Sequence, residues 1–226
     1  MRRTCVFFIN LLFFLNPVIV NSQDTILFPL KIRAGADITG PAIYMLEKDR
    51  MSIEGFFSLD RNEKMAYVIE GGYVNYKYSQ YNYDFHTNGM FLRAGVNFNL
   101  LKPEMSAGKY WTGIGFRYGL SLFSSEVPSF SIENYWGTYN SSIPARTSNG
   151  HFIEVSPGVR TELFKNLSIG WSIRLRLLIS GGGNKDLRPV YLNRFGNSGK
   201  ITNAGINYYI VWDIPFKSKK VKTIPE

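Results

Sequence analysis

His86 and His151 are the only imidazoles in this chain, and they are the first place to look for a general base. Ser79 lies a few residues before the first and Ser148 before the second. A serine, a histidine and an acid within hydrogen-bond reach would carry out acyl transfer, the histidine taking the hydroxyl proton. Both histidines fall near loop–strand junctions and read more simply as ordinary loop residues, so no catalytic residue is expected. Two imidazoles, with the single Cys5 confined to the N-terminal segment, make a poor zinc set, and neither metal nor cofactor is expected. Gly181-Gly182-Gly183 follows a strand pattern but lacks the Lys-Ser/Thr pair and the helix of a phosphate cradle, so it reads as a loop hinge.

The other residues with chemical potential are charges at alternate positions of apolar segments. Arg33, Arg93, Arg117, Arg160, Arg174 and Arg176 share a face with Asp37, Glu54, Glu70, Glu154 and Glu162. Side chains of a strand point alternately to opposite faces. From Tyr110 to Phe123, Thr112, Ile114, Phe116, Tyr118, Leu120 and Leu122 take one face. Trp111, Gly113, Gly115, Arg117, Gly119 and Ser121 take the other. The pattern recurs around Ile32–Ile38, Ile53–Leu59, Met65–Tyr78, Leu92–Leu100, Ile153–Leu163, Leu167–Leu177 and Ala204–Ile214, which gives eight strands. Their length suits the roughly 9 to 11 residues of a tilted membrane strand better than the usual globular strand.

Connections alternate in length. Asp60 to Glu63, Phe164 to Asn166 and Lys102 to Gly108 are short, whereas about 39–51, 79–88, 124–149 and 181–202 read as long loops. Short turns at one end and long loops at the other are the build of an outer-membrane barrel. A soluble barrel with an apolar cavity alternates in the same way, and volume separates the two. Eight strands enclose room for packed side chains or one small ligand. The apolar face carries Ile114, Phe116, Tyr118, Trp171, Tyr208, Trp212 and many more, too bulky for that interior, while the Gly-, Ser- and Asn-rich face fits it. The fold class expected is therefore all-β, an eight-stranded antiparallel up-and-down transmembrane β-barrel. Charges of both signs in so narrow a lumen must pair, since an unpaired buried charge costs several kcal/mol. A paired, filled lumen argues against a wide pore.

Arg2 and Arg3, then the apolar run from Cys5 to Leu15, then Pro17 have the form of a secretory signal, expected over 1–22. That run, about eleven residues, falls short of the roughly 20 that span a bilayer as a helix. The barrel is expected over 23–216 and a basic periplasmic tail over 217–226, with both termini periplasmic. Net charge is +9, much of it at Lys217, Lys219, Lys220 and Lys222. An exported barrel does not meet nucleic acid, so solvent, an acidic partner or anionic headgroups are the company expected of that tail. Tyr76, Tyr78, Tyr81, Tyr83, Tyr110, Trp111, Tyr135 and Trp136 cluster near strand ends, as aromatic girdles do.

The strings Gly115-Phe116-Arg117-Tyr118-Gly119-Leu120-Ser121 and Glu162-Leu163-Phe164-Lys165-Asn166-Leu167, with Ser172-Ile173-Arg174-Leu175-Arg176, resemble an uncharacterised Bacteroidota-type family of small outer-membrane barrels. The likeness spans most of the chain after the signal segment. It implies the fold, an outer-membrane location and an accessory role in envelope assembly, and carries over no catalytic residue. Outer-membrane lipid and lipopolysaccharide are the expected surroundings, with Arg188, Arg194 and Lys200 placed to meet phosphates. An envelope protein is the expected partner. Phe130, Tyr135, Trp136 and Tyr139 in the segment 124–149 are the candidate partner-binding residues, because exposed aromatics are enriched where proteins dock. An outer-leaflet lipid-modifying enzyme and a narrow channel are the alternatives.

Overall fold

A computed structural model describes residues 25–181 and 189–222. The expected signal segment and Arg188 lie outside the described residues. Eight long strands close into one antiparallel barrel: β1 (Thr25–Asp37), β2 (Arg50–Asp60), β3 (Met65–Gln80), β4 (Tyr83–Asn99), β5 (Tyr110–Asn134), β6 (Gly137–Phe164), β7 (Leu167–Ser180) and β10 (Thr202–Lys222). Neighbours in sequence are neighbours in space, and β1 meets β10 to close the ring. Two short helices, α1 (Thr39–Leu46) and α2 (Pro103–Ser106), and a small hairpin of β8 (Tyr191–Leu192) and β9 (Gly196–Asn197) fill three of the connections.

The facing read from alternation is the facing observed. Ile32, Phe57, Ile69, Leu92, Phe116, Leu175, Tyr208 and Trp212 are exposed, while Arg93, Glu54, Glu154 and Arg174 are buried. An exterior of bulky apolar groups around a charged interior inverts the arrangement of a soluble protein and matches a barrel solvated by lipid. Trp111 and Tyr76 depart from the expected girdle. Trp111 turns into the lumen beneath Arg160, and Tyr76 packs on Tyr191 with ring centroids 4.6 Å apart.

Two boundaries differ from the sequence reading. Lys217 to Lys222 do not form a tail, because they continue β10 in register with Thr25 to Leu30 of β1. A bulge between Leu30 and Lys31 separates this ribbon from the barrel proper. One extra residue reverses the side-chain phase, so Phe28 and Leu30 turn inward along with Lys31 and Arg33. Phe28 thereby lies across the short-turn end of the lumen, beside Trp111 and Arg160.

The segment 124–149 is not a loop either. It is the upper part of β5 and β6, paired from Ser124↔Thr147 to Asn134↔Gly137 with register shifts around Val127. The turn is two residues long, with the Trp136 amide donating to Asn134 Oδ1 at 2.9 Å and Gly137 at φ +131°. The expected loop at 79–88 is likewise a tight hairpin between β3 and β4.

Candidate functional site

The lumen holds two layers of charge. In the upper layer Arg93 is fully buried at the hub. Its guanidinium meets Glu70 at 2.6 Å, Glu154 at 2.8 Å and Glu54. Arg117 Nε donates to Glu70 at 2.7 Å and its terminal nitrogens to Ser156 and Asn97. Arg174 bonds Glu54 at 2.8 Å, and Arg176 bonds Glu154 at 2.9 Å. Barrel strands supply all of these, so regular register alone sets their positions. The lower layer joins Lys31 to Glu162 at 2.7 Å and Arg33 to Asp60, with Asp213 3.1 Å from Arg33. Arg160 stands apart: among the described residues it makes no ion pair, and it lies over the Trp111 ring, 5.7 Å from its centroid.

Of the eleven charges read from the sequence, ten enter these ion pairs and Arg160 does not, while four others, Lys31, Asp60, Asp213 and Arg194, were missed. Lys31, Asp60 and Asp213 were readable from strand parity, since Asp213 lies between outward Trp212 and Ile214. Arg194 had no periodic signal. It belongs to the β8–β9 turn. Its guanidinium points down into the mouth, 2.6 Å from Asp37 and 2.5 Å from Glu54. Its backbone takes φ +64°, uncommon for a residue with a side chain.

Above the charges, Leu192 and Phe195 from the same link pack on Phe123, Phe152 and Leu178. Gly119 makes this possible, because a Cβ there would run into the Phe152 ring. Voids between the layers are small. The two cavities among Arg33, Arg160, Trp111, Arg117 and Arg174 hold about 30 Å³ each, space for roughly a water or two. With Phe28 across one end and Phe195 near the other, the purified protein is expected to give no steady conductance in planar bilayers. Stable open steps would show that the lumen rearranges.

The histidines do not assemble a catalytic set. His86 has both ring nitrogens occupied, Nδ1 at 2.8 Å from Glu126 and Nε2 at 3.0 Å from Asn75. Ser79 donates instead to Asp84 at 2.5 Å. Hydrogen bonds from Ser129 and Ser79 hold that carboxyl below its usual range, which makes it a weak base. His151 pairs with Tyr118 Oη at 2.7 Å on the outer face, while Ser148 faces the opposite way.

The hairpin is the other outstanding feature. β2 ends at Arg50, β3 and β4 turn at 81–82, and β5 and β6 continue to 135–136, so the sheet climbs in steps. β6 loses its β7 partner above His151, yet runs on to Gly137. That stretch is on the order of 45 Å long at roughly 3.3 Å per residue. Tyr135 and Trp136 meet edge to face at its tip, ring centroids 5.2 Å apart, and are 92% and 90% exposed. They do not fold back onto the rim. Tyr139 is exposed beside them and Phe130 is partly covered, 6.5 Å from the Tyr139 ring.

Among solved structures the chain is similar to Ail, the attachment invasion locus protein of Yersinia pestis, at 9% identity and TM-score 0.39, covering 84% of this chain and 98% of that one. It is similar also to Neisserial surface protein A (15% identity, TM-score 0.37, 86% and 100% covered). Acinetobacter baumannii CarO is a third (13%, TM-score 0.37, 84% and 98%). No curated protein sequence matches. The model of the domain of unknown function DUF6048 matches residues 3–219, nearly the whole chain. A match of that extent shows that this chain belongs to the DUF6048 family.

Proposed function

We propose that this protein is a non-enzymatic barrel of the bacterial outer membrane that serves as an accessory subunit by presenting the β5–β6 hairpin to another envelope or surface protein. The observation that carries this reading is the tip itself. Two large aromatic rings are held in water at the end of a long, hydrogen-bonded arm. Exposing Tyr135 and Trp136 has no use for barrel stability, whereas aromatic anchors of this kind dominate binding at protein interfaces. The sealed lumen and the occupied His86 nitrogens count against transport and catalysis. The start of β1 at Thr25, the end of β10 at Lys222 and the short turns lie at one end, which by the usual build of such barrels is periplasmic, so the hairpin faces outward. Lys200, and the lysines at 217–222 on the β10 extension, are placed for contact with anionic headgroups. An accessory role in envelope assembly is one form the docking would take.

The test is a Tyr135→Ser/Trp136→Ser double variant in the producing cell. Its band is expected to shift on boiling as the native protein's does, because the tip supports no barrel contact. In mild-detergent pull-down it is expected to lose at least tenfold of whatever protein copurifies with the native chain. Identical partners at identical yield in native and variant, or no partner with either, would sink the reading.

A further inference from the structure

Between α1, the β8–β9 hairpin and the upper ends of β2, β3 and β10 lies a cavity of about 410 Å³. That is an ordinary size for a small-molecule site and more than ten times the voids deeper in the lumen. Its lining includes Arg50, Arg176 and Arg194 and not one carboxylate. Asn75, Asn197 and Asn203 add neutral polar groups, and Ile43, Met51 and Val74 give an apolar wall.

The ion pairs beneath explain why this cavity is electropositive. Among the described residues of the upper layer, Arg93, Arg117, Arg174, Arg176 and Arg194 face only Asp37, Glu54, Glu70 and Glu154. One positive charge is left over. The lower layer is one carboxylate in excess until Arg160 is counted with Lys31 and Arg33, and then it balances. The surplus therefore belongs to the upper layer, whose cavity-facing members are Arg176 and Arg194. Arg176 spends Nε on Glu154, and its Nη1 has only a 3.5 Å contact with the Phe195 carbonyl. Arg194 spends Nη2 on Asp37, Glu54 and Asn207 and Nη1 on Ser52, and its Nε has no hydrogen-bond partner among the described residues. Its backbone takes the left-handed conformation, φ +64°. Poorly hydrated guanidinium groups with unused N–H donors are the usual receptors of phosphate and carboxylate.

We infer that this cavity binds a small amphiphilic anion, a phosphate- or carboxylate-bearing group on a compact apolar body, with Arg176 and Arg194 holding the charge and Ile43, Met51 and Val74 the body. A free small molecule and the headgroup of a neighbouring anionic lipid share this chemistry. The site is independent of the β5–β6 hairpin, and its test does not involve a protein partner.

Phenyl phosphate is titrated by calorimetry against the full-length barrel in a zwitterionic detergent free of lipid. In parallel, intrinsic tyrosine and tryptophan fluorescence is followed as phosphatidylglycerol is added to the same micelles. Saturable binding in the first arm identifies a free anion, and saturation only in the second identifies a headgroup. Either is expected to weaken at least tenfold in Arg194→Gln and in Asn203→Asp. The second variant puts a carboxylate in the wall and leaves every buried ion pair intact, so it stays informative where Arg194→Gln misfolds. No saturation in either arm overturns the proposal, as does binding that Asn203→Asp leaves unchanged.

Discussion

Replacing Arg93 with methionine is expected to destabilise the folded barrel by about 3–5 kcal/mol, the range seen when one partner of a buried ion pair is removed. Charge counting alone would suggest the opposite, since the upper layer would then hold four cations and four carboxylates. Position decides against the count. Glu54, Glu70 and Glu154 all reach toward the same guanidinium, and among the described residues Arg93 alone bonds all three at short range. Arg174 lies 3.8 Å from Glu70 and 3.9 Å from Glu154, too far to take over those hydrogen bonds. Without the hub each carboxylate keeps a cation at its side, Arg117 on Glu70, Arg174 and Arg194 on Glu54 and Arg176 on Glu154, but the three buried carboxylates lose the shared guanidinium between them. Urea unfolding in detergent micelles, followed by the change in gel migration, would read the loss. Arg93→Lys keeps the charge without the fork and should fall between native and methionine variants. A midpoint equal to native in Arg93→Met would mean that packing, not the network, holds the lumen.

Ile173→Arg is expected to lower stability by about 2–4 kcal/mol, the cost of a basic side chain on the lipid face near the bilayer midplane. Ile173 stands midway along β7, outward, opposite Ile206 of β10. The same change at Ile132, also exposed but on the hairpin, should move the midpoint by no more than about 0.5 kcal/mol, as at an ordinary surface site. The contrast measures which exposed isoleucine is in lipid and which is in water. Equal effects at the two positions would contradict the assigned membrane level.

Where lipid and a packed lumen both act on a strand, its sequence must alternate, and there the reading was clear. Tyr110 to Phe123 and Leu167 to Leu177 announced their two faces, and with them Arg117, Arg174 and Arg176. The same physics explains where legibility stopped. Above the membrane both faces of β5 and β6 meet water or the hairpin's own residues, so nothing enforces alternation from Ser124 to Asn149. Only the Asn134 and Gly137 turn signals marked a hairpin there. Phe28 was hidden by a bulge that no local pattern marks, and Phe195 and Arg194 by a link whose structure comes from what it packs into. Helix α1 contains Gly40 and Pro41, both poor helix formers. It is set against β2 where Gly40 lies so close to the Ser52 carbonyl that a Cβ would clash.

The pairing of β1 with β10 bears on how the molecule comes into being. Until the last strand arrives, β1 and β7 each present an unsatisfied row of amides and carbonyls, which hydrocarbon cannot tolerate. Every other strand finds its partner next to it in sequence, while this seam joins the two ends of the chain. Its closure is the slowest kind of contact to form, because the whole intervening loop must be brought together first. Insertion is therefore all or nothing. A chain cut before Ala204 would have no metastable half-barrel to rest in, and whatever inserts this protein must shelter two open edges until the final residues are made.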